Sequence, residues 1–139
     1  MKLRQYAEGL LVKLEIGEEV TDTLTHFMKE NDIQAGIVQG LGGVADAELG
    51  FYDLNKREYL HQVIPGNLEL VHYYGNITMV DGKPFIHAHA VVSGPDYIAK
   101  AGHFISAKIS VTGEFLIKPS AWGVNRRYDE TTGLKLMDI

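Results

Sequence analysis

Cysteine is absent from the 139-residue chain, which excludes disulfides and thiolate metal sites. Its absence also fits a reducing cytoplasm, the expected location. Positive charge is in short supply: 13 Lys and Arg stand against 18 Asp and Glu, a formal net charge of −5 with neutral histidines. Phosphate contacts need clustered Lys and Arg, so this balance argues against nucleic-acid binding through the chain's own electrostatics. No apolar run approaches the roughly 20 residues of a membrane-spanning helix. The opening Met1-Lys2-Leu3-Arg4-Gln5-Tyr6 has no apolar h-region or cleavage site, so no signal peptide is expected. No linker, low-complexity tract or internal repeat divides the sequence. Residues 1–139 read as a single domain with enough mass for a core.

One helix and many strands are legible. Glu18-Glu19 opens a helix with acidic residues in its first turn, where the macrodipole favours them. Val20, Leu24, Phe27 and Met28 form an amphipathic stripe, and Asn31-Asp32 is the stop. Leu10 to Leu14 reads as a strand before it. After Ile33 the pattern is mostly strand. Ala45, Ala47, Leu49 and Phe51 alternate with Asp46, Glu48 and Gly50. Asp53 to Lys56 and Pro65-Gly66-Asn67 read as turns, and Asp81-Gly82 is a strong hairpin signal. Tyr97 to Ala101 fits one helical turn, and Phe104 to Ile117 is long and β-like with a break near Gly113. The expected class is α+β: a largely antiparallel sheet with one long amphipathic helix and one or two short helices.

The histidines carry the sharpest chemistry. In Phe85-Ile86-His87-Ala88-His89-Ala90-Val91-Val92 strand alternation puts His87 and His89 on one face, their Cα atoms roughly 6.7 Å apart. Ile86, Ala88, Ala90 and Val92 make the other face wholly apolar, the face expected against the core. His103 follows Gly102, a residue that lets backbone approach closely. Three neutral imidazoles can grip a transition metal and leave one position open. Spacing alone leaves two alternatives, a metal site at His87, His89 and His103 or a hydrogen-bonded polar cluster. His72 shares a predicted face with Leu68, Leu70 and Tyr74 and reads as a partly buried sheet histidine. His26 and His61 read as surface or boundary residues.

Other motifs are weaker. Gly40-Leu41-Gly42-Gly43-Val44-Ala45 formally fits a dinucleotide fingerprint. That fingerprint works only ahead of a helix, and a strand pattern follows here. The glycines then mark a bulge or a close contact between strands. Glu69 interrupts an apolar strand and is the carboxylate to test as a general base or as an orienting partner of a metal-bound histidine. Arg126-Arg127 is the basic pair of the tail, read as solvated, with an anion or a neighbouring subunit as the alternative. No Gly-x-Ser-x-Gly elbow exists.

In the order of its motifs the chain resembles the PPC domain family, conserved between plants and prokaryotes. Gly17-Glu18-Glu19, Gly40-Leu41-Gly42-Gly43-Val44, Leu68-Glu69-Leu70 and Gly75-Asn76-Ile77 carry the likeness. Pro84 to His89, Gly102-His103-Phe104, Arg127-Tyr128-Asp129 and Thr132-Gly133-Leu134 complete it. Ala101 stands where family members often have a second glycine before the histidine. The resemblance implies a largely antiparallel α/β domain assembled as a homotrimer. It also implies that His87, His89 and His103 match a histidine cluster that can hold zinc. Plant members follow AT-hooks, whose Arg-Gly-Arg-Pro core this chain lacks, which again argues against DNA binding by this chain alone. Two functions are therefore expected to compete. One is a binding or regulatory module with a metal site; the other is a zinc-dependent enzyme acting on a small molecule.

Overall fold

The computed structural model describes residues 1–6 and 8–139. Its elements are β1 (Lys2–Tyr6), β2 (Gly9–Leu14), α1 (Val20–Glu30), β3 (Gly36–Asp53), β4 (Glu58–Val80), β5 (Lys83–Ser93), β6 (Ala99–Pro119), β7 (Arg126–Tyr128) and β8 (Lys135–Met137). The six-stranded sheet runs β1-β2-β6-β3-β4-β5, and β5 pairs with β6 as well. That extra ladder makes a hydrogen-bonded circuit of β3, β4, β5 and β6. Every ladder between named strands is antiparallel. Strands β7 and β8 form a separate hairpin.

The single helix forms where the stripe predicts it. Val20, Leu24 and Met28 are fully buried and Phe27 is nearly so. Each such side chain contributes about 1.5–3 kcal/mol of burial. Glu19 lies just outside the helix and caps it. Its carboxylate accepts from the Asp22 amide at one oxygen and from the Ala107 amide of β6 at the other. One side chain thus satisfies an orphan helix donor and anchors the helix to the sheet. The helix closes over a core shared with Val38, Val44, Leu70, Tyr73, Phe104, Ile109, Phe115 and Ile117.

The expected fold class needs correction. The described residues are 67% strand and hold one helix of 11 residues, 8% of the length, in place of a long helix with short companions. Two local causes explain the difference. Residues 94–98 form the hairpin connection between β5 and β6, where a helical turn was expected at Tyr97 to Ala101. Asp96 there accepts from the Ile98 amide, Tyr97 donates to the Gly94 carbonyl with its φ at 59°, and Ser93 already faces Ala99. Likewise, Pro65-Gly66-Asn67 does not reverse the chain. β4 runs straight through it, with Gly66 at φ 84° donating its amide to the Asp46 side chain across a bulge.

Other signals match the structure. Asp81 and Gly82 take φ values of 51° and 75°, the left-handed pair a two-residue hairpin requires. The glycines of Gly40 to Gly43 sit on a register shift inside β3, and a Cβ on Gly42 would collide with the Thr112 carbonyl oxygen of β6. Strand β3 continues through them to Asp53, so the dinucleotide reading has no helix terminus there to bind an anion.

Candidate metal centre

The circuit closes at the histidines. In the β5–β6 ladder His89 stands directly opposite His103, and Ala90 opposite Gly102. On its other side His103 faces Gly50 of β3. Alternation along β5 is as expected: Ile86, Ala88, Ala90 and Val92 are buried, while His87 and His89 look outward. Gly102 is required at this point. A Cβ there would stand 2.9 Å from the Gly50 carbonyl oxygen, so only glycine lets β6 lie this close to β3.

Three rings converge as a result. Their centroids are 5.3 Å apart for His87–His89, 5.3 Å for His87–His103 and 5.6 Å for His89–His103. One ring nitrogen from each lies within 4.8 Å of the others, close enough to hold a metal ion. His87 and His103 are half-buried and His89 is exposed. Burial, then the neighbouring His87 and His89, pushes the His103 pKa down to about 4. Burial, then Arg126 and His89, lowers that of His87. Both rings are therefore neutral at physiological pH, with the lone pairs that ligation needs. His103 Nδ1 is buried and has no hydrogen-bond partner among the described residues. Such an atom costs about 1–3 kcal/mol when left unsatisfied.

Two neighbours of the cluster are not signalled by local sequence pattern. Tyr59 of β4 lies against His103 with ring centroids 5.1 Å apart, and burial raises its pKa. Arg126 of β7 reaches back over the sheet. Its Nε donates to Thr78 Oγ1 at 2.8 Å and its Nη2 to Asn76 Oδ1 at 2.9 Å. Its Nη1 donates to the Lys135 carbonyl at 3.0 Å, and Nη2 also stands 3.5 Å from His87 Nδ1. The reading of Arg126-Arg127 as a solvated pair holds only for Arg127, which is exposed and bridges to Asp138 at 2.9 Å.

The remaining candidates lie outside the cluster. Glu69 is exposed and faces Ser93, four residues along β5 from His89. A bulge between Leu70 and His72 turns Tyr73 into the core and leaves His72 exposed and stacked on Tyr74. His72 is thus not the partly buried residue expected from its neighbours. It lines an open cavity of about 340 Å³ beside His87 and His89. His26 pairs with Glu30 on the helix surface, and His61 with Glu48.

The sequence model of the Plants and Prokaryotes Conserved (PCC) domain family, also written PPC, matches residues 2–120. The chain belongs to this family. Three crystal structures resemble this PCC domain over nearly their whole length. A candidate DNA-binding protein of Bacteroides thetaiotaomicron is 26% identical, with a TM-score of 0.95, covering 99% of this chain and 96% of its own. A metal-containing protein of Archaeoglobus fulgidus is 32% identical, with a TM-score of 0.88 and full coverage of both chains. A plant- and prokaryote-conserved protein of Pyrococcus horikoshii is 27% identical, with a TM-score of 0.87, covering 99% of this chain and 94% of its own. No curated protein matches the chain. No helix among the described residues is long and apolar enough to cross a membrane.

Proposed function

We propose that this PCC domain is a homotrimeric binding or regulatory module whose His87, His89 and His103 hold a divalent metal, zinc first among them. One observation carries the reading: three imidazoles converge with a ring nitrogen of each within 4.8 Å of the others, and the buried Nδ1 of His103 has no hydrogen-bond partner among the described residues. The donor set suits zinc, nickel or copper and offers no thiolate or carboxylate that would favour another class. The likeness to a metal-containing archaeal protein supports it. Trimer formation is supported by the family resemblance and by the outer hairpin. Among the described residues, 58–67 of β4 pair on one side only, and Phe51, Leu60 and Val63 are exposed there.

Metal content of the purified and zinc-reloaded protein tests the site. The expected result is one ion per chain in the wild type and loss of stoichiometric binding in His89→Ala. A metal-free wild type after reloading would overturn it. Light scattering at micromolar concentration is expected to give three times the 15.4 kDa chain mass. DNA enters only as the label of a relative. With a net charge of −5, a duplex titration is expected to show no steep salt-dependent retention.

A second reading, a zinc-dependent enzyme, is favoured by the open cavity beside His87 and His89, which admits a small molecule. His87, His89 and His103 would hold the ion, which would supply Lewis acidity to a small molecule beside it. Glu69 lies too far along the sheet to serve as its base, and Tyr59 is the group beside the rings. An exchangeable water on the bound ion would favour this reading; a fourth protein ligand would favour the structural one.

A further inference from the structure

Arg126 is unusual among the cationic side chains near the site. Its partners are all neutral: a threonine hydroxyl, an asparagine carbonyl, a backbone carbonyl and a histidine nitrogen. Among the described residues no carboxylate lies within 4.0 Å of its guanidinium, although Arg127 beside it has one. It is also half-buried, and its position is fixed. Thr78 and Asn76 hold two edges of the fork, and the Phe85 ring lies beneath it at 5.3 Å. A buried or half-buried charge is ordinarily compensated by an opposite one. The site supplies none: the charges acting on His87 and His103 come from Arg126 and the other histidines. Three imidazoles contribute no negative charge to a divalent ion held among them. A loaded site would therefore place two positive centres side by side.

We infer that Arg126 forms an anion subsite beside the His87–His89–His103 centre, and that the module's small-molecule ligand carries a carboxylate or similar oxyanion. This rests on the metal reading above and names the ligand class of the same site. Four of the five N–H groups of the guanidinium fork are engaged, and the remaining Nη1 N–H, with the fixed positive charge, is the donor left for an oxyanion oxygen. Asn76 and Thr78 set the direction of that fork, so they act as positioning residues. The tail acquires a purpose as well. β7 and β8 hold Arg126 in place through the Lys135 carbonyl, so the terminal hairpin delivers one side chain to a site built by three other strands.

Cobalt(II) in place of zinc gives a visible spectrum that reports both occupancy and anion coordination, with no assumption about activity. Acetate is the probe and neutral acetamide its control. The wild type is expected to bind cobalt stoichiometrically and to show a saturable spectral change with acetate and none with acetamide. Arg126→Gln is expected to bind cobalt stoichiometrically and at least as tightly as the wild type, since a repelling charge is removed, and to weaken acetate by about tenfold to hundredfold, the worth of a charge-assisted hydrogen bond. Arg126→Lys, which keeps the charge but loses the fork, is expected to fall between. Equal acetate affinity in wild type and Arg126→Gln would overturn the subsite while leaving the metal centre standing. Absence of cobalt binding in the wild type would overturn both. If Arg126→Gln does not fold, the acetate and acetamide comparison in the wild type decides, since equal responses refute a charge-selective site.

Discussion

Replacing Gly102 by alanine tests whether the closure of the sheet shapes the histidine centre. The added Cβ would stand 2.9 Å from the Gly50 carbonyl oxygen and 3.4 Å from Leu49 Cβ. The first contact is about 0.5 Å short of ordinary van der Waals distance. The oxygen belongs to the backbone of β3, so no side chain can swing away. β6 is held on its other side by β5 through His89–His103 and Ala90–Gly102. One ladder must therefore yield. Overpacking of this kind costs about 1–3 kcal/mol, a fall in Tm of roughly 3–10 °C for a chain of this length. The displacement falls on the residue next to His103, so zinc affinity is expected to drop about tenfold, as when an orienting neighbour is lost. Thermal melts at one protein concentration with chelator present, followed by competition against a chromophoric chelator, measure the two effects. Gly94→Ala is the control, since its Cβ would meet nothing closer than 3.5 Å. A Gly102→Ala protein with unchanged Tm and zinc affinity within twofold would refute the account of the seam.

Acid sensitivity follows from His103. Its folded pKa of about 4 lies below the ordinary 6.5, so the unfolded chain binds more protons between those values. Stability of the metal-free protein is thus full above pH 6.5 and falls as pH drops toward 4. At face value the span is worth about 3 kcal/mol, and solvent screening at a half-buried ring reduces it to about 1–2 kcal/mol. Urea unfolding at pH 7 and pH 4.5 measures this. His103→Asn is expected to flatten the difference, and an equally steep loss in that variant would count against it. In the core, Leu24→Ala removes a fully buried side chain from the face of α1 and is expected to cost about 2–5 kcal/mol by denaturant midpoint. A loss under 1 kcal/mol would mean that the helix is not the lid of the core.

What the sequence made legible was local and periodic. The two-residue alternation of Ile86 to Val92 placed His87 and His89 on one outward face, and the stripe from Val20 to Met28 gave the buried side of the helix. Asp81-Gly82 named its own turn. Residues that depend on distant partners were less accessible. Pro65-Gly66 looked like a chain reversal because the bulge that absorbs it is set by Asp46, twenty positions earlier. His72 changed face because one bulge at Val71 shifts the alternation by a residue. Tyr59 reaches His103 only through the β3–β4 and β3–β6 ladders. Arg126 is turned toward the cluster by the short strand β7, where two adjacent arginines take opposite faces, and nothing in the sequence of the tail signalled that strand.

The β5–β6 ladder spans only residues 89–93 and 99–103, a short seam for the join that turns four strands into a ring. His89 and His103 are its outermost rung. A ligand gripping both grips two banks of the same opening, and one that also holds His87 adds a second point on one bank. Binding there and keeping the ring shut are one equilibrium. Each stabilises the other by the same free energy, set by ligand concentration and affinity. The centre is then a clasp as well as a pocket, and its occupancy can be read in how firmly the two strands stay joined.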